Sequence, residues 1–149
     1  MAAFAAHAGD LSQLQALVNF TIETFGGVDI VVNNAATNPV FGPVLDCAES
    51  AFDKIMQINV KSPFELAKMA HPSMKQRGGG SIINITSIDA TAADGPYSAY
   101  CTAKAGLVNL TRCMAFELAP RKIRANAVAP GFTMTEMTSN AVSAEELDY

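Results

Sequence analysis

Three reactive side chains lie close together in "TSIDATAADGPYSAYCTAKAGLVNL", residues 86 to 110: the hydroxyl of Ser87, the phenol of Tyr100 and the amine of Lys104. Tyr100 and Lys104 are four residues apart at the start of a helical run that reaches Ala119, just before Pro120, so one helix face carries both. A phenol titrates at about 10 in water, too high for a good proton donor or acceptor at neutral pH. An ammonium held beside it stabilises the phenolate and lowers that value, which makes the pair a tunable acid and base. Ser87 closes a short β-branched run and could hydrogen-bond the same oxygen that Tyr100 protonates. In an open α/β sheet ligands bind at the carboxyl ends of the strands, which is where Ser87 falls. The chemistry expected of such a trio is proton transfer at an oxygen held between a strand end and a helix.

Each of these residues also has an ordinary structural reading. Ser87 could cap its loop, Asn59 could be a satisfied core amide, "NNAA" (33 to 36) could be a strand terminus with turn residues, and a Tyr-x-x-x-Lys string arises by chance. His7 and His71 have no carboxylate or Cys partner at metal spacing; they read as a terminal and a helix-surface residue, and no metal is expected. Cys101 sits about 100° round the helix from Tyr100 and reads as a packing residue. Met56, Met69, Met74 and Met114 read as core filler.

The elements that must position the trio follow from periodicity. From Leu11 to Phe25, Leu14, Leu17, Val18, Ile22 and Phe25 recur at helical steps, Asp10 or Ser12 can cap the start, and Gly26-Gly27 stops the run. "VDIVVNN" (28 to 34), "SIINITS" (81 to 87) and "IRANAVAPG" (123 to 131) are short runs of the kind buried on both faces of a parallel sheet. Between the first two strands, Ser50 to Arg77 reads as helix: Lys54, Lys61, Lys68 and Lys75 fall seven apart and mark one solvated stripe. Phe52, Ile55, Met56, Val60, Leu66, Ala67, Ala70 and Met74 form the opposite, apolar face, onto which Asn59 also projects. Pro63 and Pro72 predict kinks or two abutting helices, and Pro63, having no N–H, leaves the Asn59 carbonyl without its α-helical donor. Three strands separated by helices make an α/β domain with crossover connections.

Composition narrows the class. The 149 residues are 50% hydrophobic and 16% charged with a formal net charge of −4, and no repeat or low-complexity window interrupts them, so one compact domain is expected. The first Lys or Arg is Lys54 and none follows Arg124, so a basic face for nucleic acid is not expected. "MAAFAAHAGD" has no cationic region, and no apolar run approaches the ~20 residues of a membrane span. Cys47, Cys101 and Cys113 are odd in number and lack CxxC spacing, which fits a reducing interior; a cytoplasmic location is the expectation.

The order of these signals resembles the short-chain dehydrogenase/reductase family: "NNAA" after a strand, Asn59 in the next helix, Ser87 after the second strand, Tyr100 and Lys104 beyond it, and "PG" at 130 to 131 after the third. The resemblance runs from about Asp10 to Met137 and includes "GGGSIINITS" and "ELAPRKIRANAVAPGFTMT". It implies a partial Rossmann-type doubly wound parallel sheet, one partial dinucleotide-binding domain over residues 1–149. Its function would be that of an oxidoreductase using NAD or NADP to interconvert an alcohol and a carbonyl. On this resemblance Tyr100 is the general acid in reduction and the base in oxidation. Ser87 orients the substrate oxygen, Lys104 lowers the Tyr100 pKa and grips the nicotinamide ribose, and Asn59 holds a water in a proton relay. Asp10 would meet the adenine amine, Asn34 and Ala35 would line the adenosine side, and Pro130, Gly131 and Thr133 would lie along the nicotinamide end. The partners implied are a small alcohol or ketone substrate and further copies of the chain, as a dimer or tetramer.

Two departures from the family pattern are visible. Ala36 stands where the family has Gly, and no Gly-rich pyrophosphate turn precedes Asp10, so the family's first two strands are expected to be absent. In the strand order 3-2-1-4-5-6, "VDIVVNN" is then a fourth strand lacking its inner neighbour, with an edge open to other chains. The alternative expectation is a truncated noncatalytic fragment that acts as an oligomerisation partner of full-length relatives. The substrate loop after "PGFTMTEM" and the choice between NAD and NADP lie beyond what these residues specify.

Overall fold

The structure, a computed structural model, describes residues 1–92 and 96–133. It begins with an irregular segment leading to helix α1 (Leu11–Phe25), whose cap is Asp10: the carboxylate accepts from the Ser12 and Gln13 N–H groups at 2.9 and 3.2 Å. Those bonds, with one from the Ser12 hydroxyl, hold the Asp10 carboxyl below its ordinary value. Gly26 ends the helix in the left-handed region at φ 79°, returning its N–H to Ile22.

Strand β1 (Ile30–Asn33) leads through a long loop to α2 (Glu49–Met56), a π turn (Gln57–Lys61), α3 (Ser62–Gln76), β2 (Gly80–Ile85), α4 (Ser98–Leu118) and β3 (Ile123–Val128). The strands pair in parallel in the order β1-β2-β3, with Val31 beside Ile82 and Ile82 beside Ala125. The glycines before β2 allow it to thread between its neighbours. A Cβ on Gly79, whose φ is 146°, would lie 2.6 Å from the Lys122 carbonyl, and one on Gly80 would lie 2.7 Å from that of Asp29.

The core lies on one face of this sheet, where Val18 of α1, Ala70 and Met74 of α3, and Met114 of α4 close over Val31, Ile82 and Ala125. A polar chain crosses this core. Asn33 donates to Asn84 at 2.7 Å, Asn84 donates to the Thr111 hydroxyl at 2.8 Å, and Thr111 donates to the Leu107 carbonyl at 2.7 Å. It fixes the register of β1 on β2 and docks α4 against both. Thr111→Val keeps the volume but orphans the Asn84 amide, which is wholly buried. A loss of about 1–3 kcal/mol of stability is expected, read from the denaturant midpoint of the assembled protein.

The expected solvated stripe holds, for Lys54, Lys61, Lys68 and Lys75 are all exposed. Phe52, expected on the apolar face, is 37% exposed instead. Of the two prolines, Pro63 stands at the start of α3, directly after the π turn and in helical continuity with it, and the helix runs on through Pro72. The irregularity sits before Pro63. Ser62 donates its N–H five residues back, to Gln57, so the ladder is out of α-helical step beside a residue that has no N–H to donate. His71, read from the sequence as a surface residue, is half-buried with its Nε2 enclosed and unpartnered among the described residues. Ala36 in place of Gly carries no conformational cost, since Lys122 is the sole non-glycine at positive φ among the described residues.

Candidate active site

Because the three strands run parallel and in register, their carboxyl ends share one edge of the sheet. Asn34 and Ala35 follow β1 there, Ser87 follows β2, and Pro130 follows β3. The last two ends are tied together. Val128 accepts from the N–H and hydroxyl of Thr86 at 2.7 and 2.9 Å, and the Pro130 carbonyl accepts from the Ile88 N–H at 3.1 Å. Gly131 lies against Ile88, and Thr133, exposed, bonds back to the Gly131 carbonyl at 3.2 Å. The end of "PGFTMTEM" and the loop expected after it lie outside the described residues.

Ser87 has extended backbone, is buried, and opens a single 3-10 turn (Ile88–Ala90) by accepting from the Asp89 N–H at 3.2 Å. The turn packs on α4. The Ser87 side chain also lies near Tyr100 and pulls the phenol pKa downward. Lys104, one turn further along α4, is 2% exposed. Its Nζ donates to the Ile85 carbonyl at 2.8 Å and stands 5.4 Å from the centre of the Tyr100 ring, within cation–π range. Strand β2 thus presents Ile85 and Ser87 to the two helix residues in turn.

The electrostatics differ from the sequence expectation. Burial pushes the Tyr100 phenol above its ordinary value of 10, and the Asp89 carboxylate adds to the rise; the nearby Ser87 side chain only partly offsets them. Lys104 stands over the ring, and its own pKa falls to about 8 through burial. Spacing of four residues places two side chains on one face without specifying which atoms meet. Asp89 had no motif to announce it beyond lying two residues after Ser87.

Two expectations follow from these charges. Asp89→Asn removes a negative charge near the phenol and should lower the Tyr100 pKa. Titration of the phenolate absorbance, with Tyr100→Phe as the subtraction reference, should show that downward shift. For Lys104, the unfolded chain holds its proton up to 10.5 whereas the folded chain releases it at about 8. Between those values the unfolded state binds more protons, so stability should rise with pH, by roughly 3 kcal/mol in all. Chemical denaturation from pH 7.5 to 10 should show the rise in the parent and a flat profile in Lys104→Met.

Asn59 is wholly enclosed in the π turn, which packs against α4. Its amide donates to the carbonyls of Thr37 and Ile55 at 2.8 and 2.9 Å, and its Oδ1 accepts from the Thr37 N–H at 3.4 Å. Asn59 therefore clamps the loop after β1 from both backbone sides, a role for Thr37 that no sequence pattern signalled. The next residue, Asn38, has an enclosed amide oxygen with no partner among the described residues. The structure joins Ser87, Tyr100, Lys104 and Pro130 into one cluster and places Asn59 on the adjoining turn. Asp10 stays with α1, its carboxylate occupied by the cap. Among the described residues no group of three His, Cys, Asp or Glu could hold a metal, and no helix is long and apolar enough to cross a membrane.

The chain is similar to known proteins in both sequence and fold. A family profile described as enoyl-(acyl carrier protein) reductase matches residues 2–148. Dehydrogenase/reductase SDR family member 4 of Homo sapiens is 42% identical over 132 residues, 89% of this chain and 48% of the relative; its Caenorhabditis elegans counterpart is 38% identical over 138 residues, 93% and 53% respectively. The chain spans about half the length of the curated relatives it matches. Among solved structures, a 7α-hydroxysteroid dehydrogenase complexed with NADH and 7-oxo glycochenodeoxycholic acid superimposes with a TM-score of 0.89 at 34% identity, covering 94% of this chain and 54% of that one.

Proposed function

Since this chain belongs to the short-chain dehydrogenase/reductase family, we propose that it carries the proton-transfer machinery of an oxidoreductase that interconverts an alcohol and a carbonyl with NAD or NADP. The observation that supports this most strongly is the meeting of Ser87, at a strand end, with Tyr100, whose ring faces the buried Lys104 ammonium. Residues 1–149 are read as one part of a single dinucleotide-binding domain.

The donor set of Lys104 fits a nicotinamide cofactor. An ammonium has three N–H bonds, and only the Ile85 carbonyl is paired with it among the described residues, which leaves donors for the ribose hydroxyls. Asn34 and Ala35 would line the adenosine side with Asp10 toward the adenine, and Pro130, Gly131 and Thr133 would flank the nicotinamide. The cofactor supplies the hydride chemistry. The protein's part is the proton. In reduction Ser87 donates a hydrogen bond to the carbonyl oxygen and Tyr100 donates the proton that completes the hydroxyl. In oxidation Tyr100, deprotonated, takes the alcohol proton. The raised phenol pKa makes Tyr100 protonated throughout the neutral range, so reduction has its acid ready, and oxidation gains base as pH climbs. Asn59, beside a ladder with the Pro63 gap, would hold the water that links Lys104 to solvent.

The solved relative with a 7-oxo bile acid favours a secondary alcohol and ketone pair as the substrate class. We place the protein in the cytoplasm and expect assembly into dimers or tetramers through the faces of α2, α3 and α4. A screen of secondary alcohols and ketones with NAD and NADP, on the chain completed to the length of its relatives, tests the proposal. Turnover that requires one of the two cofactors is expected; hydrolytic or cofactor-independent turnover alone would overturn it.

A further inference from the structure

Tyr100 lies in the first turn of α4, whose start has no side-chain cap among the described residues: Tyr97, at the cap position, supplies only its carbonyl, which accepts from the Cys101 N–H at 2.9 Å. A first turn without a side-chain cap keeps unpaired backbone donors and frays readily. A phenol that must meet a substrate oxygen cannot tolerate that freedom, because a small misplacement of a reacting group costs rate steeply. Something outside the helix has to hold it.

The segment between β1 and α2 does so at three points. The Phe41 ring stands edge-on to the Tyr97 ring, with centroids 5.3 Å apart and planes at 79°. The Gly42 N–H donates to the Pro96 carbonyl at 3.1 Å, and Gly42 reaches it at φ 154°, where glycine is favoured. Cys47 packs against Ile55, Ala99 and Ala103, so the helix is also gripped one residue before Tyr100. The same segment is anchored nearer to β1, where Asn59 holds both backbone groups of Thr37. Phe41 itself is 60% exposed, so its removal opens no cavity in the core.

We propose, on the reading of Tyr100 as the proton donor, that Phe41 is a positioning residue: through the Tyr97 ring it fixes the first turn of α4 and so sets where the Tyr100 hydroxyl stands relative to Ser87. Lys104 needs no such help, being anchored one turn further along by the Ile85 carbonyl at 2.8 Å. The two functional residues of α4 are thus held by different elements.

In the chain completed to the length of its relatives, Phe41→Ala should lower kcat at least tenfold while the cofactor KM stays within twofold. Phe41→Tyr keeps the ring and should return kcat to within threefold of the parent. In a Tyr97→Ala background Phe41→Ala should cost nothing further, because either change removes the same contact. Leu45→Ala, at a 94% exposed position on the turn before α2, should leave kcat and KM as they are. Titration of the phenolate absorbance, with Tyr100→Phe in each background as the subtraction reference, reads the position without turnover. Loosened from the burial that raises it, the Tyr100 phenol of Phe41→Ala should titrate closer to its ordinary 10 than in the parent. A lowered melting temperature with kcat and titration unchanged would overturn the inference, as would Phe41→Ala and Tyr97→Ala effects that multiply. If Tyr100→Phe itself kept the parent rate, the proton-donor reading would fail, and the titration alone would then decide whether Phe41 places the phenol.

Discussion

Replacing Tyr100 by Phe is expected to lower turnover by about 10²–10⁴-fold in both directions while leaving cofactor affinity within about threefold of the parent. The substitution removes the transferable proton and keeps the ring, so the face that Lys104 approaches at 5.4 Å survives. The neighbouring Ser87 keeps its hydroxyl engaged by the Asp89 N–H at 3.2 Å, so the loop should hold its shape. Steady-state kinetics with both substrates varied separates these effects. A variant that kept more than a tenth of the parent rate would show that Tyr100 is not the acid.

Lys104→Ala should behave differently, because in the proposed mechanism one ammonium serves two tasks. Charged hydrogen bonds contribute about 1.5–3 kcal/mol each, so losing its contacts to the cofactor should raise the cofactor KM by about 10²-fold. The rate should fall as well, because the cation beside the Tyr100 ring and the donor to Ile85 disappear together. The discriminating readout is the split: a rise in cofactor KM with a fall in kcat for Lys104→Ala, against a fall in kcat alone for Tyr100→Phe. A Lys104→Ala enzyme with normal cofactor KM would remove Lys104 from the binding role.

Much of this architecture is written in short-range pattern. α1 matches its periodicity because Asp10 and Gly26 cap it in the sequence positions that backbone geometry favours, and the three β-branched runs became the three strands. The strand read over 123 to 131 ends at Val128, where Ala129 and Pro130 turn away to meet the loop after β2. What was not legible depends on contacts distant in sequence. The π turn arises where Asn59 must reach the Thr37 backbone, 22 residues away, and no local propensity encodes that demand. Likewise the Asn33–Asn84–Thr111 chain spans two strands and a helix. Each asparagine alone reads as a turn residue. The direction of the Tyr100 shift is illegible for the same reason: burial and the Asp89 charge are tertiary facts, whereas the four-residue spacing to Lys104 is local.

The central claim is that an alcohol hydrogen is transferred to a nicotinamide while Tyr100 handles the proton. The most direct measurement uses a secondary alcohol deuterated at its carbinol carbon, with the chain completed to the length of its relatives, and follows the label by mass spectrometry and NMR. The account predicts that the deuterium is recovered in the reduced cofactor, on one face of the nicotinamide ring, and that Tyr100→Phe slows its arrival without rerouting it. Deuterium lost to solvent, or label in the cofactor at an undiminished rate in Tyr100→Phe, would contradict it.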